Sequence, residues 1–155
     1  MTDLSPDLLS QANPTAGVTV VTDSIDVQRL PYADKTFDRV ISTCLLAHVP
    51  DLRMAVSELV RVLRNNGVLT VYLPCEPGLL LRILQSLTTR RKQTKLGLNS
   101  WLTHYREHRN HFPGMLCELR NAVSNDVRLS MKLHHFPFPF SWNFNLWVIV
   151  QIKSQ

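Results

Sequence analysis

Three histidines in the C-terminal half of the chain are spaced so that one face of a helix could carry all of them. His104, His108 and His111 follow one another at intervals of four and three residues, which bring side chains onto one helical face. Imidazoles placed in this way could bind zinc. Arginines are interleaved with them, however, and we favour a surface or lid helix with no metal. Tyr105, His108 and Arg109 would then contact a polar or anionic substrate.

A further histidine, His48, follows the β-branched run at 38–44. Residues in the loop after a strand of an α/β sheet often face the ligand, and histidine is the commonest general acid or base. The alternative is a histidine at a helix start that only bonds the backbone. We keep His48 as the candidate catalytic residue.

The composition is that of one folded globular domain. The chain has 155 residues, of which 45% are hydrophobic and 19% are charged, a balance that supports a buried core. No apolar run approaches the roughly 20 residues that span a bilayer, and the first residues lack the pattern of a secretory signal. Three scattered cysteines fit a reducing compartment better than a disulfide framework, so we expect a cytoplasmic protein.

The net charge of +5 would suit nucleic acid, an anionic membrane surface or an anionic substrate. The one tight basic cluster consists of Arg90, Arg91, Lys92 and Lys95, and we interpret it as the solvated end of a helix. We therefore expect no nucleic-acid partner and no transmembrane segment.

Hydrophobic periodicity in the first half predicts alternating helices and strands. The predicted elements are a helix at 4–11, strands at 18–25 and 38–44, a helix at 51–64 and a strand at 67–73. Asn65, Asn66 and Gly67 would cap the second helix, because these residue types tolerate the left-handed conformation. Arg61 and Arg64 would interact with the negative end of its dipole. This order predicts an α/β fold with parallel strands.

The C-terminal part has a different pattern. Between Val127 and Leu133, every second residue is apolar and the residues between them are polar, which indicates an edge strand. Leu146 to Val150 form a continuous apolar run, which is typical of a strand covered on both faces. We expect an antiparallel pair whose last strand inserts inside the sheet. The connection at 74–126 carries helical patterns at 78–91 and 113–123, and a connection of this length usually caps a site.

Four stretches, in order, resemble class I S-adenosylmethionine-dependent methyltransferases of the branch called type 11. They are Thr2 to Ser5, Asp26 with Leu30-Pro31-Tyr32 and Phe37-Asp38, Val40 to Asp51, and Glu58 to Val71. The resemblance covers about residues 1–75. It implies a Rossmann-like sheet with the strand order third, second, first, fourth, fifth, seventh, sixth, and S-adenosylmethionine as cofactor.

The resemblance also implies roles for individual residues. Asp3, followed by Leu4, would bind the cofactor ribose, since a carboxylate accepts from two vicinal hydroxyls. Asp26 would contact the adenine amino group, and Val27 would offer its backbone N–H to the ring. The residues implied to line the cofactor pocket after the fourth strand are Thr43, Cys44 and Leu45.

The chain departs from the family pattern at its start. It contains five glycines, none two residues apart, and so lacks the G-x-G loop that approaches the methionine end of the cofactor. We expect an N-terminally truncated domain that lacks its first strand, divided into a cofactor-side half (1–75), a helical lid or insertion (76–126) and a strand pair (127–155). The strand at 18–25 would then pair with residues 38–44, with another chain or with a separately supplied half.

The resemblance implies methyl transfer to a small-molecule or glycan/lipid-precursor acceptor, and the absence of the G-x-G loop leads us to expect weak or no cofactor binding by this chain. The alternative is a non-catalytic, degenerate methyltransferase half that binds a partner chain, and a basic nucleic-acid binder is the third hypothesis. An unpaired strand edge would favour a homo-oligomer. A general base is optional in methyl transfer and depends on the acceptor.

Overall fold

The computed structural model describes residues 2–3, 7, 23–88, 95–97 and 108–155. In chain order the elements are β1 (Thr2–Asp3), β2 (Asp23–Ser24), β3 (Phe37–Thr43), α1 (Leu52–Arg61), β4 (Leu63–Pro74), α2 (Leu79–Leu87), α3 (Phe112–Ser124), β5 (Leu129–Phe136) and β6 (Trp147–Ser154). Two short 3-10 helices, Leu45–Ala47 and Trp142–Phe144, follow β3 and precede β6. Of the predicted helix at 4–11, only the helical residue Asp7 lies within the described residues.

Four strands form one sheet in the order β3-β4-β6-β5. β3 and β4 are parallel and are connected through α1, whereas β6 runs antiparallel to both of its neighbours. The expected terminal pair with an inserted last strand is therefore confirmed, and β5 lies at one edge of the described sheet. The order is that of the fourth, fifth, seventh and sixth strands of the class I methyltransferase sheet.

β2 pairs with another short strand of the chain. β1 and β2 form a separate parallel pair in which Thr2 lies opposite Asp23 and Asp3 opposite Ser24. Within the described residues β2 does not pair with β3, so the expected re-pairing against residues 38–44 is not seen there. The partner is the short strand that the resemblance identified as the end of the second strand.

One face of the four-stranded sheet packs into the core, where alternate residues of the central strands β4 and β6 are fully buried. Its core combines α1, α3 and alternate strand residues, and includes Ala55, Val56, Leu59, Met115, Leu119, Leu69, Val71, Leu73, Val148, Val150 and Ile152. On the opposite face Trp147, Ile149 and Gln151 are only half-buried, and Ile41 is 63% exposed. The expectation that the run at 146–150 is covered on both faces is wrong for Trp147 and Ile149, whose side chains point to the face opposite the core.

Helix α1 ends three residues before its predicted end. It begins after Asp51, whose side chain accepts a hydrogen bond from the Met54 N–H at 2.9 Å, as expected of an N-cap. Its last residue is Arg61, and β4 begins at Leu63. The predicted stop at 65–67 is therefore not a helix cap.

The Asn-Asn-Gly stretch lies instead in an irregular part of β4, where its register with β3 shifts. Asn66 has a left-handed φ of 63°, as its residue type allows. A Cβ at Gly67 would lie 2.7 Å from the Arg64 carbonyl oxygen, so the close backbone approach requires glycine. Arg64 pairs with Asp38 of β3 at 2.8 Å and does not belong to the end of α1.

The remaining boundaries shift by a few residues. The patterns at 78–91 and 113–123 correspond to α2 and α3, with α2 shorter than predicted. β5 begins at Leu129 rather than at Val127, which is 96% exposed. None of the helices in the described ranges combines the length and the apolar character needed to cross a bilayer.

Candidate functional site

β1 and β2 bring the backbone of Asp3 next to the segment that leads into Asp26. Asp3 lies opposite Ser24 in the parallel pair, and Asp26 follows Ser24 by two residues. The two carboxylates predicted to bind opposite ends of one adenosine therefore belong to adjacent segments at one end of this pair. Leu4, the third residue predicted there, lies outside the described residues.

Asp26 begins a turn that is tied to the start of α1. Its side chain accepts a hydrogen bond from the Gln28 backbone N–H at 2.9 Å, and both of its oxygens accept from the Gln28 side-chain amide at 3.1 and 3.0 Å. The side-chain oxygen Oε1 of Gln28 in turn accepts from the Asp51 N–H at 2.7 Å. Asp26 is exposed while Val27 is buried, so the carboxylate is presented on a turn anchored in the core.

The segment after this turn is held by two side chains of α1, Arg61 and Glu58. Arg61 donates to the carbonyl oxygens of Leu30 and Tyr32 at 3.0 and 2.8 Å. Glu58 pairs with Arg61 at 2.7 Å and accepts from the Leu30 N–H at 2.8 Å. Two side chains of α1 thus satisfy the backbone of the Leu-Pro-Tyr stretch, which fixes its position relative to the sheet.

We expect Glu58→Gln to lower the free energy of unfolding by about 1 kcal/mol near neutral pH, because it removes the charge from hydrogen bonds at a partly exposed site. The Arg61 side chain, aided by the Leu30 N–H, holds the pKa of Glu58 below its ordinary value of 4.5. A carboxylate whose pKa is lowered by folding stabilises the protein above its unfolded pKa, and this contribution is lost as the pH falls further. Urea unfolding should therefore show a difference between wild type and variant that shrinks below about pH 4.5.

Asp38→Asn is the matched control, since its pair with Arg64 is exposed on both sides and such pairs contribute little. An equal loss in both variants, or a difference for Glu58→Gln that persists in acid, would contradict this account.

The loop after β3 begins at a residue with an unusual backbone. Cys44 has a φ of 55°, in the left-handed region that costs free energy for residues other than glycine and that occurs preferentially at functional sites. Its N–H donates to the Tyr72 carbonyl oxygen of β4. Partial burial, together with the nearby charge of Glu76, raises the pKa of the Cys44 thiol. Thr43 and Cys44 are exposed at this end of the sheet.

His48 follows the 3-10 helix after this loop, and Asn110 holds the loop in place. The Asn110 side-chain amide donates to the carbonyl oxygens of Leu46 and Val49 at 2.9 and 2.8 Å. Its backbone N–H donates to the Ala47 carbonyl oxygen at 3.0 Å. Three hydrogen bonds therefore join the loop that carries His48 to the segment that carries His108.

A buried carboxylate completes the cluster. Glu76, two residues after β4, is 7% exposed; one of its oxygens contacts Nδ1 of His108 and the other accepts from the Gln85 amide at 2.9 Å. The His108 and His48 rings lie edge to face, with centroids 4.7 Å apart. The Phe112 N–H donates to the Glu76 carbonyl oxygen at 2.9 Å. The carboxyl ends of the parallel strands β3 and β4 thus bring together two imidazoles and one carboxylate.

The structure corrects the sequence-based interpretation of the histidine-rich stretch. Residues 108–111 are not helical, and α3 begins only at Phe112. His108 and His111 therefore do not share a helical face, and His108 is held by Glu76 instead. Arg109 is exposed, while His104 and Tyr105 lie outside the described residues. In the described ranges no three His, Cys, Asp or Glu side chains are grouped to hold a metal.

Two residues of the cluster were not predicted. Glu76 could have been predicted from the sequence, because it is a carboxylate two residues after a strand, at the end where α/β sheets bind ligands. Asn110 had none, since its partners are more than 60 residues away in sequence.

Comparison with known sequences finds a family match in the N-terminal part of the chain. Residues 1–71 match the family described as a methyltransferase domain. A protein of Mycobacterium tuberculosis described as uncharacterized is 41% identical over 73 residues, which make up 45% of this chain and 27% of that protein. The methyltransferase GfsG of Streptomyces halstedii is 41% identical over 49 residues, or 32% of this chain and 18% of GfsG. The matched part thus spans about a quarter or less of these relatives.

Solved structures share the fold over most of the chain. YcgJ of Bacillus subtilis superimposes with a TM-score of 0.61 at 15% identity, covering 99% of this chain and 81% of YcgJ. The N-methyltransferase NodS of Bradyrhizobium japonicum gives a TM-score of 0.58 at 13% identity, with 99% and 71% covered. Residues 1–71 thus match the methyltransferase domain family, and the chain as a whole shares the fold of solved methyltransferase structures.

Proposed function

We propose that this chain takes part in methyl transfer from S-adenosylmethionine to a small-molecule acceptor at the carboxyl ends of β3 and β4. Asp3 and Asp26 would hold the ribose and the adenine amino group, and the Val27 N–H would contact the ring. Thr43, Cys44 and Leu45 would line the pocket toward the reacting end. When bound, the cofactor supplies an already activated methyl group, so the protein mainly positions the acceptor and excludes water.

The observation that carries the proposal is the junction of the strained, exposed Cys44 loop with the cluster of His48, His108 and Glu76. The donor set also fits an adenosine ligand. The carboxylate of Asp26 is exposed, and a carboxylate has about four lone-pair sites, so it can accept from a ligand while it accepts from Gln28. The loop at Thr43 and Cys44 is open to solvent at the same edge of the sheet as His48.

The acceptor would lie beside the two imidazoles. His48 is the proposed catalytic residue and His108 the proposed contact to the acceptor, with Tyr105 and Arg109 as further candidates from the sequence. Arg109 is exposed and does not belong to the cluster of His48, His108 and Glu76. The substrate contacts that we weight most are therefore His48 and His108.

We expect cofactor binding by this chain to be weak, because no G-x-G sequence is present to approach the methionine end. Titration with S-adenosylhomocysteine, followed by amide resonances in NMR spectra, would measure it. Resonances of residues 26–28 and 43–45 should shift together without reaching saturation. Asp26→Ala should abolish these shifts, and Asp38→Ala, an exposed aspartate at the opposite end of β3, should leave them unchanged.

Two results would overturn the proposal in different ways. Micromolar binding would show that the chain is not impaired. If neither residues 26–28 nor residues 43–45 shifted, the cofactor site would be contradicted. The alternative, a non-catalytic half that binds a partner chain, would then be favoured.

A further inference from the structure

We propose that an exposed apolar surface, formed by α2 and the loop between β5 and β6, docks the protein on an anionic lipid bilayer. This docking goes beyond the proposed methyl transfer and does not depend on it. Each side chain of the surface is between 43 and 55% exposed, although large residues of these types are most often buried. The docking surface consists of Leu79, Ile83 and Leu87 of α2, and Phe138, Phe140 and Phe144 of the loop.

The apolar side chains of α2 lie on the side of the helix that faces away from the protein. Leu79, Ile83 and Leu87 follow one another at intervals of four residues, which places them along one face. The other side of the helix is fixed to the protein, since Gln85 donates to the side chain of Glu76. A helix that packs on a core turns its apolar stripe inward. α2 has no buried residue and has the reverse orientation, so its stripe can enter an apolar environment outside the chain.

The loop between β5 and β6 holds three phenylalanine rings next to α2. The ring centroids of Phe138 and Phe140 are 5.3 Å apart, and those of Phe140 and Phe144 are 6.1 Å apart. The buried Asn145 side chain accepts from the Phe138 N–H and donates to the Phe140 carbonyl oxygen, so the exposed rings are carried by a fixed loop. The 3-10 helix Trp142–Phe144 lies beside α2, which joins the two segments into one surface.

The distribution of charge indicates an anionic occupant. Residues 77–155 contain eleven Lys and Arg but three Asp and Glu, a net charge of +8, whereas residues 1–76 have a net charge of −3. The stretches 77–106 and 127–155, which include α2 and the loop, contain no Asp or Glu. Arg82 of α2 is exposed beside the apolar stripe. Apolar side chains bordered by cations are typical of segments that bind the surface of an anionic bilayer.

A second copy of this chain is a poorer occupant of the docking surface. Two copies that met through the same surface would bring two positively charged halves together, and neither segment has an acidic residue to compensate. At a bilayer, by contrast, the apolar side chains enter the acyl boundary while the cations stay among the anionic headgroups. Because α2 follows the carboxyl end of β4, a bilayer bound there would lie at the same end of the sheet as the candidate site.

The first test measures co-sedimentation of the whole chain with lipid vesicles. We expect binding to phosphatidylcholine vesicles that contain about one third phosphatidylserine, and binding at least about tenfold weaker to pure phosphatidylcholine. Raising the salt concentration from about 0.1 M to about 0.5 M should weaken binding several-fold, because salt screens the headgroup charge. A chain that does not bind the anionic vesicles, or that binds both kinds equally, would overturn the proposal.

Ile83→Asp and Phe140→Asp test the two segments of the docking surface separately. Each places a charge where an apolar side chain would enter the lipid, so each should weaken binding at least about tenfold. Val127→Asp is the matched control, since Val127 is almost fully exposed and precedes β5 at the end remote from the loop. It adds the same charge and should change binding less than about twofold. Circular dichroism verifies that the variants fold. An equal loss in the control, or unchanged binding of either surface variant, would contradict the assignment of this surface.

Analytical ultracentrifugation without lipid tests the competing occupant. The wild-type chain and Ile83→Asp should have the same oligomeric state. A dimer that Ile83→Asp dissociates would assign the docking surface to a second copy and overturn the proposal. The titration with S-adenosylhomocysteine follows residues outside this surface, so failure of the membrane proposal is distinguishable from failure of the methyltransferase proposal.

Discussion

Phe112→Ala should lower the free energy of unfolding by about 3–5 kcal/mol, the cost of removing a fully buried aromatic ring. The Phe112 side chain is 1% exposed and stacks on Trp142 with ring centroids 5.5 Å apart. Domains of this size are stable by only about 5–15 kcal/mol, so the loss would be a large part of the total. Urea unfolding followed by tryptophan fluorescence measures it.

The effect should extend to the candidate site, because the Phe112 backbone bonds Glu76 and the segment before it carries His108. Phe144→Ala is the control, since that ring is 47% exposed and its removal leaves no buried cavity. If Phe112→Ala fails to fold, Phe112→Leu keeps the measurement accessible and should cost less. Similar losses for Phe112→Ala and Phe144→Ala would show that ring burial is not the origin of the effect.

The strands were predicted well where the sequence pattern is local. The alternation of Leu129, Met131 and Leu133 with polar residues marks β5 as an edge, and the apolar run at 146–150 marks β6. The inserted position of β6 followed from the contrast between these two patterns. What the pattern did not indicate is that one face of β6 is only half-buried among the described residues, because that depends on which helices cover the sheet.

Helix boundaries were predicted less well where residue types serve two purposes. Asn66 was expected in a helix cap because asparagine tolerates a positive φ, and it does have one, but within β4. Arg64 was assigned to the helix dipole because it is a cation at the expected helix end, yet it pairs with Asp38 across two strands. Local propensity identified the unusual backbone of Asn66, and tertiary pairing decided which element contains Asn66 and Arg64.

In the candidate site, too, local sequence order predicted some residues, whereas contacts between distant segments could not be predicted. His48 could be nominated from its place after a strand, since that depends on short-range order. His108 was nominated for a helical spacing that the structure does not have, and its actual partner is Glu76, which lies 32 residues away. Periodicity cannot reveal such a pair, because the pair exists only once the segment before α3 has packed against the end of β4.

Asn110→Ala should both destabilise the protein and separate the two imidazoles. The side chain satisfies the carbonyl oxygens of Leu46 and Val49, and leaving partly buried acceptors without a donor costs about 1–3 kcal/mol. Because these bonds join the His48 loop to the His108 segment, we expect the nuclear Overhauser contact between the two rings to weaken. Unfolding in urea measures the first effect, and side-chain NMR spectra measure the second.

The contact between the rings of His48 and His108 shows whether Asn110 positions the two imidazoles or only stabilises the fold. Asn110→Asp should behave like the alanine variant, because a carboxylate cannot donate to the two carbonyl oxygens. The exposed Asn143 provides the matched control, and Asn143→Ala should change neither stability nor the ring contact. If Asn110→Ala lowered stability but left the contact between His48 and His108 intact, the two rings would be held by Glu76 and their own packing. The hydrogen bonds of Asn110 would then stabilise the fold without arranging the site.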